Sequence, residues 1–355
     1  MKTLIHYGWS KIHDEQYALF SNEELLPGRV ISVRGFKYLL ITEKGILETE
    51  LSGKMLFGKE IEDLPKVGDW VLFLDYGTSG YITDVMPRLN ALVRKDPGTI
   101  TGKQVLASNI DIALIIQGVD RDFNIMRLER YLVQILSCGI RPVVILNKCD
   151  LAENPENFIK EVIALQRDTP VHLCSTLTGY GIPEIKSRVL EKNKTHILVG
   201  SSGVGKSSLI NTLVDREMQR TGQISDFNQK GKHTTASRDL FLLDNGSLII
   251  DTPGMREFGM TSEEGNISHD LFPVIAQFAE HCRFKDCKHI NESGCAVIAA
   301  VNNGDLDPTM YASYLKLRKE QRRFEISIED KKRLARQMGK MVREVKDYRN
   351  RLKGG

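Results

Sequence analysis

The stretch His196-Ile-Leu-Val199 followed by Gly200-Ser-Ser-Gly-Val-Gly-Lys-Ser207 decides the fold. An apolar strand runs into a glycine-rich turn, and the turn opens a helix over Lys206–Leu213. Glycines at 200, 203 and 205 let successive backbone N–H groups curl around an anion, and the helix N-terminus adds a favourable partial charge. The pattern therefore predicts a phosphate-binding loop formed by Gly200, Ser201, Ser202, Gly203, Val204, Gly205, Lys206, Ser207 and Ser208. Lys206 is placed to reach β- and γ-phosphates, and Ser207 to ligate Mg²⁺. A ligand-free Gly/Ser turn between strand and helix is the plain alternative. The motifs on either side argue against it.

About fifty positions upstream lies Asn147-Lys-Cys-Asp150. A carboxylate in this setting accepts two hydrogen bonds from the N1 and N2 donors of guanine, a pair that adenine lacks. A buried carboxylate left unsatisfied makes the discrimination large. Asp150 is the candidate for that contact, with Asn147 beside it and Lys148 laying its stem along the base. Cys149 reads as a core filler. Ser175, in Cys174-Ser-Thr176 after the strand Val171–Leu173, is a weaker candidate for a base-contacting loop. Downstream, Asp251-Thr-Pro-Gly254 follows another apolar strand. Asp251 is expected to hold Mg²⁺ through a water, and the Gly254 N–H to face a γ-phosphate. In most GTPases the guanine motif follows the phosphate loop. Here it comes first, which points to a circularly permuted order.

Gly231-Lys-His-Thr-Thr235 falls between the phosphate loop and Asp251. Thr235, with Thr234 close behind, is expected to close over Mg²⁺ and the γ-phosphate as a switch. A glutamine often follows the Asp-x-x-Gly turn to orient the attacking water, but Met255 holds that position and cannot do so. Slow intrinsic hydrolysis is expected, with a partner or another side chain completing the site. His233 is the internal candidate; its alternative role is packing or contact with a partner.

Patterning divides the chain into three. Short apolar runs alternate with turn residues up to residue 97 and predict a small β-barrel, with Lys66–Asp69 as a turn feeding a strand. Lys95–Ser108 reads as a linker. Buried strands then alternate with helices through residue 262, as in an α/β domain with a largely parallel sheet. Strand candidates are Ile110–Ile116, Pro142–Leu146, His196–Val199 and Leu248–Ile250, and Asn124–Cys138 has helical spacing. Residues 263–355 open with Cys282, Cys287, His289 and Cys295, three thiolates and an imidazole suited to one structural tetrahedral Zn²⁺. Few apolar residues surround them, so metal rather than burial is expected to fold the segment.

The formal net charge is only +3, but it is unevenly placed: Lys316–Lys353 holds fifteen Lys/Arg against six Asp/Glu. A basic tail on a mildly acidic body points to a polyanionic partner such as RNA; a solvated helix with one packing face is the plainer reading. There is no apolar N-terminal leader pattern and no run long enough to span a membrane. With cysteines clustered for metal, a cytoplasmic protein with no membrane partner is expected, and a monomer.

Together these residues resemble the circularly permuted, ribosome-small-subunit-dependent GTPase family. The resemblance extends over Ala107-Ser-Asn-Ile-Asp111, Asn147–Asp150, Gly200–Ser208, Gly231–Thr235, Asp251-Thr-Pro-Gly-Met-Arg-Glu-Phe258 and Cys282–Cys295. It implies a multi-domain architecture: an N-terminal OB-fold β-barrel, a central α/β P-loop GTPase domain and a C-terminal, mainly helical zinc-binding domain. It also implies hydrolysis of GTP to GDP stimulated by the small (30S) ribosomal subunit, contact with its rRNA near the decoding region, and a role in late subunit maturation. Ala236, Thr176 and Ser201 depart from residues common in that family, and none removes an expected ligand. Two other functions fit the same residues: a GTPase acting on another ribosomal or RNA complex, and a GTP-dependent RNA-binding scaffold.

Overall fold

The computed structural model describes residues 2–20, 24–59, 63–95, 103–165, 168–213, 238–251, 272–308, 310–312, 314–315 and 318–319. The chain forms two compact units. The first contains residues 1–94 and 104–258, and the second residues 95–103 and 259–355.

In the first unit, α1 (Lys2–His6) and α2 (Lys11–Tyr17) precede a five-stranded barrel. Its strands are β1 (Leu26–Arg34), β2 (Lys37–Thr42), β3 (Gly45–Leu51), β4 (Trp70–Asp75) and β5 (Gly80–Val85). The order β1-β2-β3-β5-β4 closes through a β1–β4 pairing, and β3–β5 is the parallel pair, which is the OB arrangement. Val30, Leu40, Val71, Phe73 and Ile82 fill the interior. Helix α3 (Gly53–Gly58) packs the buried Met55 into that core, and Ser52 caps it by accepting the Met55 N–H. Each such side chain, fully withdrawn from water, contributes about 1.5–3 kcal/mol. The expected turn is present: Lys66 N–H donates to Asp69 Oδ2 at 2.7 Å, immediately before β4.

Next come β6 (Ala91–Lys95) and β7 (Lys103–Ser108), which pair with each other. The linker expectation for Lys95–Ser108 is thus corrected for its second part. Leu106 and Ala107 are fully buried, and the three apolar residues Val105–Ala107 were too short a signal to read as a strand. The following strand starts at Ile112 rather than Ile110. Asn109 adopts a positive φ, and the Asn90 side chain holds both the N–H and the carbonyl of Ile110, so those two residues form a turn.

The α/β part contains β8 (Ile112–Gly118), α4 (Ile125–Ser137), β9 (Arg141–Asn147), α5 (Glu156–Ile163), β10 (Val171–Leu173), α6 (Ile182–Glu184), β11 (Thr195–Val199), α7 (Lys206–Leu213), β12 (Arg238–Leu242) and β13 (Leu248–Asp251). Strand order is β10-β9-β8-β11-β13-β12, parallel except for β12. Ala113 and Ile115 face α4, joining Leu128, Leu132 and Ile135. Ile112, Leu114 and Ile116 face the other way, joining Leu209, Ile210 and Leu213 of α7. This period-two split is why β8 reads as an uninterrupted apolar run. Asn124 caps α4 by accepting the Arg127 N–H at 2.9 Å.

The barrel and the α/β part share one sheet of eleven strands. The join is β1 against β12, with Ser32 opposite Asp239 and Val33 opposite Arg238. Arg29 reinforces it from inside. Its buried guanidinium donates to Gly68 O, Tyr7 O, Asn109 O at 3.1 Å and Thr195 Oγ1 at 2.9 Å. Burial lowers its pKa to about 10, with Asp111 and Asp69 opposing the shift.

The second unit contains α8 (Pro273–Ala279) and α9 (Ala296–Asn303). Among its described residues, Phe272, Ile275, Cys295, Val297, Ala300, Leu306, Met310 and Tyr314 are buried. Among the described residues, no helix is long and apolar enough to cross a membrane.

Candidate nucleotide site and metal centre

Strand β11 ends at Val199, and the glycine-rich turn leads directly into α7, as the sequence predicts. Two of its glycines are dictated by close approach. A Cβ on Gly200 would lie 2.3 Å from Ile116 O of β8. One on Gly205 would lie 2.3 Å from Asn147 Nδ2, and both glycines have positive φ. The loop is therefore pressed against β8 on one side and the Asn-Lys-x-Asp motif on the other. Lys206 Nζ donates to the carbonyls of Gly200 at 2.8 Å and Ser201 at 2.6 Å. Burial lowers its pKa, and the negative charge of Asp251 at the end of β13 pushes it back up. Ser202, Gly203, Ser207 and Ser208 are exposed, whereas Val204 is buried. Exposure leaves the Ser207 hydroxyl accessible to a ligand.

Asn147 is wholly buried at the end of β9. Its amide donates to Val204 O at 2.9 Å and accepts from Thr176 N–H at 3.2 Å. One side chain thus ties the phosphate loop, the guanine-type motif and the Cys174–Thr176 loop together. Its Oδ1 and one N–H are engaged within the protein, so it holds the surrounding loops. Lys148 has a left-handed φ of 64°, which turns the chain and leaves Asp150 exposed on a single 3₁₀ turn. Ser175 is buried and accepts the Thr178 N–H at 3.1 Å, which shapes its loop. Cys149 N–H donates to Cys174 O at 3.1 Å. Burial raises both thiols, that of Cys174 to about 12, and both act as core residues.

The sequence reading passed over Val119–Asp122, the loop leaving β8. Asp120 Oδ2 lies 2.6 Å from Lys148 Nζ, and Asp122 Oδ2 accepts from Ser201 Oγ at 2.9 Å. A single Gly-Val-Asp-Arg-Asp run carries no motif signal; its importance comes from the strand it follows. A cleft of about 940 Å³ adjoins this loop, lined by Val119, Asp120, Asp122, Leu151, Asn154 and Phe158 among others. No phosphate-loop residue lines it, but Asp120 and Asp122 do, so the cleft borders the loop that touches both nucleotide motifs. His233, Thr235, Gly254 and Met255, and the tail beyond Lys319, lie outside the described residues.

In the second unit, one donor atom from each of Cys282, Cys287, His289 and Cys295 falls within 4.8 Å of all the others. Cys282 and Cys295 Sγ are 3.9 Å apart, and His289 Nδ1 is 3.5 and 3.4 Å from them. A tetrahedral ion with ordinary Zn–S and Zn–N bonds requires edges of about 3.8 Å and about 3.5 Å, so the donor set fits such an ion. Cys282 Sγ also accepts the N–H groups of Ala296 and Val297, which favour its thiolate despite partial burial. The loop is set from outside. Glu292 accepts N–H groups from Lys288, Ile290 and Asn291, which lower its pKa to about 2, and Tyr311 OH donates to His289 O at 2.6 Å. This cluster can hold a metal ion.

A phosphate loop on a central strand, with Asn-Lys-x-Asp on a strand that precedes it in sequence, defines a P-loop GTPase of circularly permuted order. Comparisons with known proteins agree. Residues 85–261 match the family model described as RsgA GTPase. A Bacteroides thetaiotaomicron protein named small ribosomal subunit biogenesis GTPase RsgA 1 is 39% identical over 341 residues, 96% of each chain. The namesake protein of Leptospira interrogans is 39% identical over 322 residues, 89% of this chain and 88% of its own. Among solved structures, YjeQ from Thermotoga maritima superposes with a TM-score of 0.60 at 28% identity, covering 82% of this chain and 97% of that one. YloQ, described as a circularly permuted GTPase, gives 0.60 at 25% identity, with 84% and 96% covered. The chain belongs to the RsgA GTPase family and is a hydrolase acting on GTP.

Proposed function

We propose that this GTPase binds the small ribosomal subunit and assists its late maturation, hydrolysing GTP to GDP and phosphate with stimulation by the subunit. The observation that carries the reading is the ribosomal-subunit name borne by relatives that align with nearly the whole chain, barrel and Cys/His region included. In the site, the N–H groups of Gly200–Ser208 surround the phosphates and Lys206 reaches the β- and γ-oxygens. Asp150 reads guanine, Lys148 lies along it, and Asn147 and Ser175 hold the surrounding loops. Ser207, Asp251 and Thr235 are the residues that would hold Mg²⁺, which when bound offsets charge on the phosphate oxygens. Gly254 faces the γ-phosphate, and His233 is assigned to the attacking water. Cys282, Cys287, His289 and Cys295 hold one structural Zn²⁺.

The basic tail and the barrel are assigned to rRNA, and the protein acts as a cytoplasmic monomer. Domain limits at residues 97 and 262 belong to the same proposal. The order of motifs gives it a mechanical logic. In sequence the Asp251 motif is followed by the Cys/His region, so the permuted order joins the motif assigned to the γ-phosphate to the segment assigned to the ribosome. The test is GTP turnover with and without purified small subunits. Stimulation by small subunits and not by large ones is expected; equal rates in all three conditions would overturn the reading.

A further inference from the structure

Strand β8 lies between β9, which ends in the guanine-type motif, and β11, which ends in the phosphate loop. Gly118 is in register with Asn147, and Val119 N–H donates to Asn147 O at 2.9 Å. The loop leaving β8 therefore emerges between two motifs that are remote in sequence. It contacts both. Asp120 Oδ2 is 2.6 Å from Lys148 Nζ, while its Oδ1 accepts the Asp122 N–H at 3.0 Å and fixes the loop itself. Asp122 Oδ2 accepts from Ser201 Oγ at 2.9 Å and from Arg127 Nη2 at 2.8 Å. The Lys148 hydrogen bond, more than any other interaction, holds the Asp120 carboxyl below its ordinary value.

We propose that Asp120 and Asp122 are positioning residues of the nucleotide site. Asp120 fixes Lys148 for the base and Asp122 fixes Ser201 at the entrance to the phosphate loop, so one short loop sets the spacing between base and phosphate grips. This rests on the assignment of those two motifs to GTP. Lys148 has a left-handed backbone and a long side chain, and an anchored ammonium confines the stem to one path. Base holding is the same in ground and transition states, so Asp120 acts on KM rather than kcat.

The test is a pair of double-mutant cycles read by fluorescent mant-GDP affinity and steady-state GTP turnover. Asp120→Asn is expected to weaken mant-GDP binding about tenfold and raise KM with kcat unchanged. In a Lys148→Met background the same change is expected to cost nothing. Asp120→Glu is expected to restore most of the affinity. Asp122→Ala is expected to weaken binding by about threefold, an effect absent in a Ser201→Ala background. A purely structural role would lower the melting temperature and act equally in both backgrounds. Equal cost with and without Lys148, or no cost at all, overturns the proposal alone. A wild-type chain that binds no mant-GDP overturns the nucleotide assignment with it.

Discussion

Asn147 and Cys295 are both buried at the centre of a site, but their surroundings hold them by opposite means. Asn147 ends a strand inside a broad apolar sheet, and its hydrogen bonds go to Val204 and Thr176. The phosphate loop, the guanine-type motif and the base loop are brought together by protein alone. Cys295 is the N-cap residue of α9, whose Val297 and Ala300 are buried, and the closest neighbours of its sulfur include another sulfur and a ring nitrogen. Three thiols and an imidazole this close together form a donor set that a cation can hold. The first arrangement is held by hydrogen bonds and packing within the protein, whereas the second brings together four groups that can hold a metal ion.

The largest expected effect separates the two directly. Chelation, or Cys295→Ser, removes metal binding worth roughly 10–16 kcal/mol in comparable sites. Residues 272–319 should then become protease-sensitive while mant-GDP affinity stays within about twofold. Unchanged protection, followed by mass spectrometry of the fragments, would break the comparison.

Arg29→Met probes the protein-built side. It strips four donors from a buried junction; the Asn109 carbonyl loses its Arg29 partner, and the Gly68 carbonyl keeps the Asn109 Nδ2 donor. A loss of about 3–5 kcal/mol in urea unfolding is expected, with no change in bound metal. Next, Lys206→Ala should lower kcat/KM for GTP by about 10²–10³, with only a small fall in melting temperature, because Asn147 and β8 still hold the loop after the two lysine hydrogen bonds to Gly200 O and Ser201 O are lost.

The smallest effect is pH-dependent. His13 has its pKa lowered to about 4, first by burial and then by the charge of Arg29. Between about pH 6.5 and 4 the unfolded chain binds this proton and the folded one does not, so stability falls as pH falls through that window. The loss is at most roughly 3 kcal/mol, and His13→Gln should flatten that part of the stability curve measured by thermal melts.

Much of this was legible residue by residue. The phosphate loop, Asn147–Asp150 and the Cys/His cluster announce themselves because each packs its chemistry into a short span. The barrel was legible as alternating short strands, but its closure was not, since the parallel β3–β5 pairing depends on residues thirty positions apart. Strand β7 was missed because Val105-Leu106-Ala107 is too brief an apolar signal beside Asp96-Pro-Gly98. Arg29 gave no sign of its place, because a lone arginine in a strand ordinarily faces water, and only the packing of four segments around it makes it a buried tie.

The sequence by itself determined which atoms are available to grip phosphate, guanine and metal, because those depend on residue type at fixed local spacing. It also determined that the motif order is permuted. The tertiary structure alone decided that β8 stands between the two nucleotide motifs, which places Asp120 and Asp122 between them. It alone decided that barrel strand β1 continues the GTPase sheet through β12. Both follow from backbone hydrogen bonds between strands far apart in the chain. Any extended segment offers the same donors and acceptors, so the choice of partner is made by burial of the whole sheet and leaves no local mark in the sequence.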